Sequence, residues 1–279
     1  MDQALRLDAQ TEVERFLRAV AQAQRSLLLL DYDGTLAPFR KERDQAFPYP
    51  GIAQLLQQIV RDGHTRVIII SGRDTSETVP LLGVAPIPEV WGLHGLQRRT
   101  PDGSIEMVQL EQRYLDALSD ADRWLVYQHL RHTAEFKMGS IAVHWRGLSE
   151  PGVGELRGRV LLGWKPIAEQ SGLELLDFDC GVEIRPPEAD KGDVVRIVLK
   201  EVTPDTPAAY LGDDATDERA FQAIRDRGLS VLVRPRWRKT AAQLWLQPPE
   251  DLIDFLTQWL EAVRGGHALG GEAAMAGNG

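Results

Sequence analysis

Residues 26–36 read Ser-Leu-Leu-Leu-Leu-Asp-Tyr-Asp-Gly-Thr-Leu, and no other stretch constrains the chain as much. The run Leu27 to Leu30 is bounded by polar residues and stops at a glycine turn. It is too short for a helix, which predicts a strand buried on both faces. Asp31 and Asp33 fall where that strand gives out. In an open α/β sheet the carboxyl ends of the strands are where ligands bind. Two uncompensated carboxylates are costly to bury there, so they should face a metal, a lysine or both.

Such a pair supports definite chemistry. A carboxylate at Asp31 can attack phosphorus and form an aspartyl-phosphate. Asp33, two residues on, can protonate a leaving alkoxide and later activate water. Gly34 lets the backbone turn sharply and approach an anion. Thr35 offers a hydroxyl and an N–H. The plain alternative is an acidic strand-to-loop turn. A calcium loop fits badly, because Gly34 follows the second acidic residue directly and the flank is a strand.

The 279-residue chain is 43% hydrophobic, enough for one large or two moderate domains. A net charge of -9 makes a nucleic-acid partner a poor expectation. With one cysteine, Cys180, there is neither an intrachain disulfide nor a thiolate metal cluster, and Cys180 is expected to be a packed small hydrophobe. Asp2, Asp8, Glu12 and Glu14 break up any secretory signal, and no apolar run reaches membrane-spanning length. The expectation is a cytoplasmic monomer with no nucleic-acid or membrane partner.

Along the chain, Val13, Phe16, Leu17 and Val20 recur at helical spacing. Pro38 to Pro50 is a loop that lies either over the site or plainly on the surface. Gly51 to Asp62 reads as a helix closed by Gly63. Val67 to Ile70 is a second buried strand, ending in Ser71-Gly72-Arg73-Asp74. Ser71 and its neighbouring N–H groups suit a phosphate oxygen, while a turn with Asp74 as a helix cap explains the motif equally well. Glu89 to Gly95 reads as a short strand ending at His94, and a satisfied structural histidine is the commoner fate of a lone one.

The texture changes between Gly103 and Pro186. Glu111 to His132 reads as a long amphipathic helix, Ser140 to Arg146 as a half-exposed strand, and Glu155 to Glu169 as a helix that Pro166 kinks or ends. Gly152 and Gly154 mark a boundary before that helix, and 173–178 and 182–184 are strand-like. This predicts a small α+β domain with an antiparallel sheet, inserted into the first. The expected divisions are 1–102 and 186–264 for an α/β core with a parallel sheet, 103–185 for the insert, and 265–279 for a disordered Gly/Ala-rich tail.

The parallel texture resumes with Lys191 at a helix start, where the dipole disfavours a cation unless it serves an anion. The strand Ala208 to Leu211 runs into Gly212-Asp213-Asp214-Ala215-Thr216-Asp217-Glu218. Four acidic residues in six positions argue for a cation site; an acidic helix start capped by Asp214 or Thr216 is the alternative. Oxygen ligands without a cysteine or histidine cluster favour Mg²⁺ over zinc. Leu229 to Val233 is a further strand, Trp237, Leu244, Trp245 and Leu246 are edge packing, and Pro249 to Val263 is a closing helix.

The ordered motifs D-x-D-G-T, S-G-R, a late lysine and G-D-D-x-x-D resemble the haloacid dehalogenase superfamily, whose core is Rossmann-like and carries an inserted cap. Within it, Asp31 to Pro38, Gly92-Leu93-His94-Gly95, His144-Trp145-Arg146, Glu183-Ile184-Arg185-Pro186, Lys191-Gly192 and 212–218 resemble the trehalose-phosphatase family. The resemblance implies a Mg²⁺-dependent phosphatase acting on a small sugar phosphate. It makes Asp31 the nucleophile and a metal ligand. Asp33 becomes the acid/base and offers its backbone carbonyl to the metal. Asp213 is the third ligand, with Asp214 and Asp217 close by. Gly34, Thr35, Ser71, Gly72, Arg73 and Lys191 surround the phosphoryl group. Glu135, Lys137 and Glu183 fall where cap residues grip sugar hydroxyls, with His94, Gly95, His144 and Arg146 as further substrate contacts. The family commonly continues Gly-Leu-His-Gly with Ala-Glu; Leu96-Gln97 stand here, leaving another glycosyl phosphate, such as glucosylglycerate phosphate or a pseudo-disaccharide phosphate, as an alternative substrate. A sugar-phosphate sensor without turnover is the rival of a different class.

Overall fold

The computed structural model describes the backbone of residues 3–40, 42–178 and 180–276, and side chains between residues 11 and 266. The leading helix α1 (Gln3–Gln22) precedes β1 (Ser26–Asp31). Then come α2 (Ile52–Asp62), β2 (Thr65–Ile70), α3 (Thr75–Leu82) and β3 (Glu89–Gly92), followed by the short strands β4 (Gln97–Arg99) and β5 (Ile105–Met107). The second unit holds α4 (Gln112–Tyr127), β6 (Ala134–Lys137), β7 (Ser140–His144), α5 (Glu150–Ser171), β8 (Glu174–Phe178) and β9 (Gly181–Arg185). The chain returns through α6 (Lys191–Lys200), β10 (Ala208–Gly212), α7 (Glu218–Ile224), β11 (Gly228–Val233), β12 (Leu244–Leu246) and α8 (Glu250–Ala276).

The core sheet runs β12-β11-β10-β1-β2-β3-β4-β5, parallel from β12 to β3 and antiparallel beyond. β1 lies at its centre, between β10 and β2. Because side chains alternate along a strand, the leucine run feeds two cores at once. Leu28 and Leu30 pack with α1, α2 and α8, while Leu27 and Leu29 pack with α6 and α7. All four are fully buried, each stabilising the fold by about 1.5–3 kcal/mol. The three-layer arrangement brings the carboxyl ends of β1, β2 and β10 side by side at one edge.

The second sheet, β6-β7-β9-β8, is antiparallel throughout. One face carries Ile141, Val143, Val182 and Ile184 onto Leu125, Val160 and Trp164 of α4 and α5. The register places Glu135, Ala142 and Glu183 in one row on the other face, which is turned toward the core. Polar residues line that face because it borders a solvent-open chamber.

Several local expectations are corrected. β5 pairs with β4 in the core sheet, so the second unit begins at α4 and not at 103. α4 stops at Tyr127, and His129 adopts a positive φ of 57°. α5 starts at Glu150, with Ser149 before it and Pro151 in its first turn, where proline is tolerated; Gly152 and Gly154 lie inside the helix. It passes through Pro166 to Ser171. Cys180 is exposed, at a φ of 68° in the β8–β9 turn, and Trp237 is 60% exposed and not edge packing. The tail from Gly265 does not leave the fold at once. α8 runs to Ala276, and Gly266 packs so closely on α1 that a Cβ there would lie 1.7 Å from the Ala21 carbonyl oxygen. Residues 277–279 lie outside the described residues.

Trp259 ties the closing helix to the sheet. It is fully buried against Phe16 and Phe255, and its Nε1 donates to Thr65 Oγ1 at 3.0 Å. Trp259→Ala is expected to cost about 3–5 kcal/mol, measured by urea unfolding; a loss under about 1 kcal/mol would mean that α8 is dispensable.

Candidate active site

Lys191 opens α6, whose N-cap Asp190 accepts from the Gly192 N–H at 2.7 Å. That cap fixes the helix start and turns the lysine inward. Its Nζ, buried, donates to Asp31 Oδ1 at 2.5 Å and to Asp217 Oδ1 at 2.8 Å. Burial disfavours the ammonium, but Asp217 and Asp31 outweigh it and raise the pKa above that of an ordinary lysine. Asp31 Oδ2 accepts from the Thr35 hydroxyl at 3.0 Å. Burial lifts the Asp31 carboxyl to about 7, against the pull of Lys191 and with help from Asp217 and Asp33.

Asp213 stands at the end of β10. Its carboxyl is pushed well above the ordinary value, first by burial and then by Asp31, Asp217 and Asp214. Gly34 makes the approach possible: at φ 88°, a Cβ there would lie 2.1 Å from Asp213 Oδ2. Asp217 is saturated by donors. Oδ1 takes Lys191 and the Tyr210 hydroxyl, the latter at 2.5 Å, and Oδ2 takes the N–H groups of Asp213 and Asp214 at 3.0 Å each. Asp214 caps the turn 215–217 in a capping box with Asp217. Asp31, Asp213 and Asp217 thus form a buried cluster able to surround a cation, with Asp31 and Asp213 the two whose oxygens are least committed.

Asp33 faces the same chamber. Both of its oxygens accept from Arg73, from Nε and from Nη2 at 2.6 Å each. Arg73 also donates to the Arg43 carbonyl at 2.7 Å, and Ser71 Oγ accepts from the Arg73 N–H at 3.1 Å. Gly72 leaves room for His94, since a Cβ there would lie 2.5 Å from His94 Nε2. Leu93 and His94 both have positive φ, 53° and 56°, a strained pair that aims the imidazole inward. Burial holds His94 well below its ordinary pKa despite Glu183, and so neutral.

The facing wall comes from the second sheet. Glu183 accepts from Ser140 Oγ at 2.7 Å and Lys137 Nζ at 3.1 Å, and lies 3.4 Å from His94 Nε2. Glu135 contacts His144 Nε2 at 3.0 Å and pairs with Arg43. Burial would raise the Glu135 carboxyl, but His144, Lys137 and Arg43 hold it down at about 2. Arg146 lines the chamber too. Ser71, Thr35, Gly95 and Asp217 are buried behind the wall, and Gly34 with them. Sequence reasoning missed Arg40, Arg43, Phe39 and Phe178, which also line the chamber. The only signal was the mixed charge of the loop 38–50, which the structure lays over the site. The chamber is open to solvent on one side, with a cavity volume of about 120 Å³.

A model of the trehalose-phosphatase family matches residues 29–247, a span that runs through every strand of both sheets. The chain belongs to that family. A trehalose-phosphate phosphatase of Mycobacterium marinum is 31% identical over 245 residues, 83% of this chain and 60% of the relative's length. The chain therefore spans well under two thirds of that relative. The C-terminal domain of a trehalose-6-phosphate phosphatase from C. albicans superposes with a TM-score of 0.75 at 21% identity, covering 89% of this chain and 96% of that one. A haloacid dehalogenase-like hydrolase from B. subtilis superposes with a TM-score of 0.58 at 16% identity, covering 83% and 99%. The chain shares its fold with both of these structures.

The departure from the trehalose-phosphatase pattern at Leu96-Gln97 falls outside the chamber. Gln97 Oε1 accepts from the Thr75 N–H at 2.8 Å, at the start of α3. Leu96 packs with Leu93, Leu110 and Ala189, where the two connections between the units meet.

Because the fold keeps the Asp213 proton after the unfolded chain releases it, this carboxyl costs stability increasingly as pH rises above the unfolded carboxylate value, near 3.9, and costs nothing in acid. Asp213→Asn is expected to raise the stability of the metal-free protein at pH 7 by about 1–2 kcal/mol and to flatten its dependence on pH above 4. Thermal melts in chelator measure this. A fall in stability would mean that Asp213 is compensated by a group not recognised here.

Proposed function

We propose that the chain is a phosphomonoesterase that hydrolyses trehalose 6-phosphate through an aspartyl-phosphate on Asp31. The observation that carries this reading is the contact of Lys191 with Asp31 inside a buried carboxylate cluster at the strand ends. The family model and the curated relative support the substrate.

The donor set fits a hard divalent cation. Burial raises both the Asp31 and the Asp213 carboxyls, Asp31 pushes Asp213 up further, and with Asp217 they offer oxygens within reach of one cation. Asp31, Asp213 and the Asp33 backbone carbonyl would hold Mg²⁺, while the four donors on Asp217 suit it to positioning. When bound, the ion would neutralise these acids and polarise a phosphoryl oxygen.

Lys191 aims Asp31, pulls its carboxyl toward the ionised form against the effect of burial, and offers its positive charge to the phosphoryl oxygens. Asp31 attacks phosphorus; the bond to the sugar oxygen breaks, and Asp33 gives that oxygen a proton. Asp33 then takes a proton from the water that attacks the aspartyl-phosphate, releasing phosphate and restoring Asp31. To do so Asp33 exchanges one Arg73 contact for the leaving oxygen. Thr35 and Ser71 act from behind the chamber wall, Thr35 by holding Asp31 and Ser71 by holding the Arg73 backbone, while Gly72 and Lys191 border the space for the phosphoryl oxygens. Glu135, Lys137 and Glu183 present charged acceptors and donors to sugar hydroxyls, with His94, His144 and Arg146 beside them.

The alternative of another glycosyl phosphate drew on Leu96-Gln97, and those residues do not reach the chamber. Purified protein is expected to release phosphate from trehalose 6-phosphate with Mg²⁺ and not in chelator. Asp31→Asn should lower kcat by more than about 10³-fold. Turnover by that variant at the parent rate would remove Asp31 from the reaction.

A further inference from the structure

We propose that the cleft beside the chamber, with Phe47 of the core and Met138 of the second unit as its lips, receives the non-reacting part of the substrate, the distal sugar ring. The inference rests on the phosphatase reading and adds residues that set how large a leaving group is preferred.

Volume is the first reason. The chamber around Asp31 and Lys191 has a cavity volume of about 120 Å³ and opens on one side, well under the roughly 300–1,000 Å³ of ordinary small-molecule sites. A disaccharide ester therefore extends beyond it. The adjoining cleft between α3 and the β6–β7 turn holds about 1020 Å³. Both spaces are bounded by Arg43, Gly72, Arg73, Glu135 and Lys137, so they form one continuous depression. What divides them is the ion pair of Arg43 with Glu135, which joins the core loop to the facing sheet. Arg43 is anchored on its other side by Glu77 at 3.2 Å. A substrate hydroxyl group that takes Glu135 from Arg43 would merge the two spaces.

The chemistry of the lips is the second reason. Phe47 is 58% and Met138 63% exposed, and each stands on a different unit across the cleft. Exposed apolar side chains at the edge of a polar site suit the C–H faces of a pyranose, while the ring's hydroxyl edges remain hydrated. Leu81 and Pro80 continue the apolar lining on the α3 side. The occupant is thus an uncharged, ring-shaped polyol attached to the ester.

The experiment uses the full chain with Mg²⁺ and two esters, trehalose 6-phosphate and glucose 6-phosphate, the second lacking the distal ring. Phe47→Ser and Met138→Ser replace exposed side chains, and glucose 6-phosphate turnover serves as their control for folding. The expected result is a fall in kcat/KM of about tenfold for the disaccharide ester, mostly in KM, with less than about a twofold change for glucose 6-phosphate. Phe178→Ser, on the opposite side of the chamber, should not reproduce that selective loss. Equal effects on both esters, no effect on either, or a selective loss only in Phe178→Ser would overturn the inference while leaving the phosphatase reading intact. A parent protein that cleaves neither ester would overturn both.

Discussion

The ammonium of Lys191 stands among buried carboxylates at the carboxyl end of the sheet, and the surrounding structure follows from keeping it there. It contacts Asp31 and Asp217, while Asp213 crowds in with its carboxyl pushed up by burial and by the acids around it. Burying this set is unfavourable unless each oxygen is answered. Thr35 answers Asp31; Tyr210 and two backbone N–H groups answer Asp217. Asp190 fixes the helix start that delivers the lysine. What is left unanswered, on Asp31 and Asp213, is a negative charge suited to a divalent cation and, through it, to a phosphate ester. The same imbalance that weakens the metal-free fold equips the site for chemistry.

A second chain of contacts links the facing sheet to Asp33, the proposed acid/base. Glu135 on β6 pairs with Arg43; the Arg43 carbonyl accepts from Arg73; Arg73 holds both oxygens of Asp33. The loop 38–50 therefore connects the two units as well as covering the site. A ligand that competes for Glu135 perturbs Arg43 first and Asp33 through it. Charged residues in that loop are thus accounted for by position and not by solvation alone.

Most of the core was legible in the sequence, because its signals are local. Four leucines in a row have no stable home except a doubly covered strand; Asp31 is the last residue of β1, and Asp213 directly follows the last residue of β10. Lys191 was legible for the same reason, a cation at the wrong end of a helix. What failed depended on tertiary context. Pro166 did not end α5, because buried Trp164 and Ala168 carry the helix past it. Cys180 lies in a turn whose geometry the hydrophobic pattern does not encode. The Gly/Ala tail lacks hydrophobic periodicity, yet the helix before it and the close approach of Gly266 to α1 continue it. Arg43 was invisible as a site residue, since only the folded loop brings it to Glu135. Gln97 looked like a pocket position and is instead a hydrogen-bond acceptor for the start of α3.

Attack on phosphorus by Asp31, as proposed, leaves an acyl-phosphate on its side chain. Quenching the protein during turnover of trehalose 6-phosphate and reducing it with borohydride would convert an acyl-phosphate at Asp31 to homoserine, readable by peptide mass spectrometry. Homoserine at position 31, dependent on substrate and Mg²⁺, is the predicted result. An unchanged aspartate there, with phosphate released throughout and a reduced residue found elsewhere or nowhere, would contradict it.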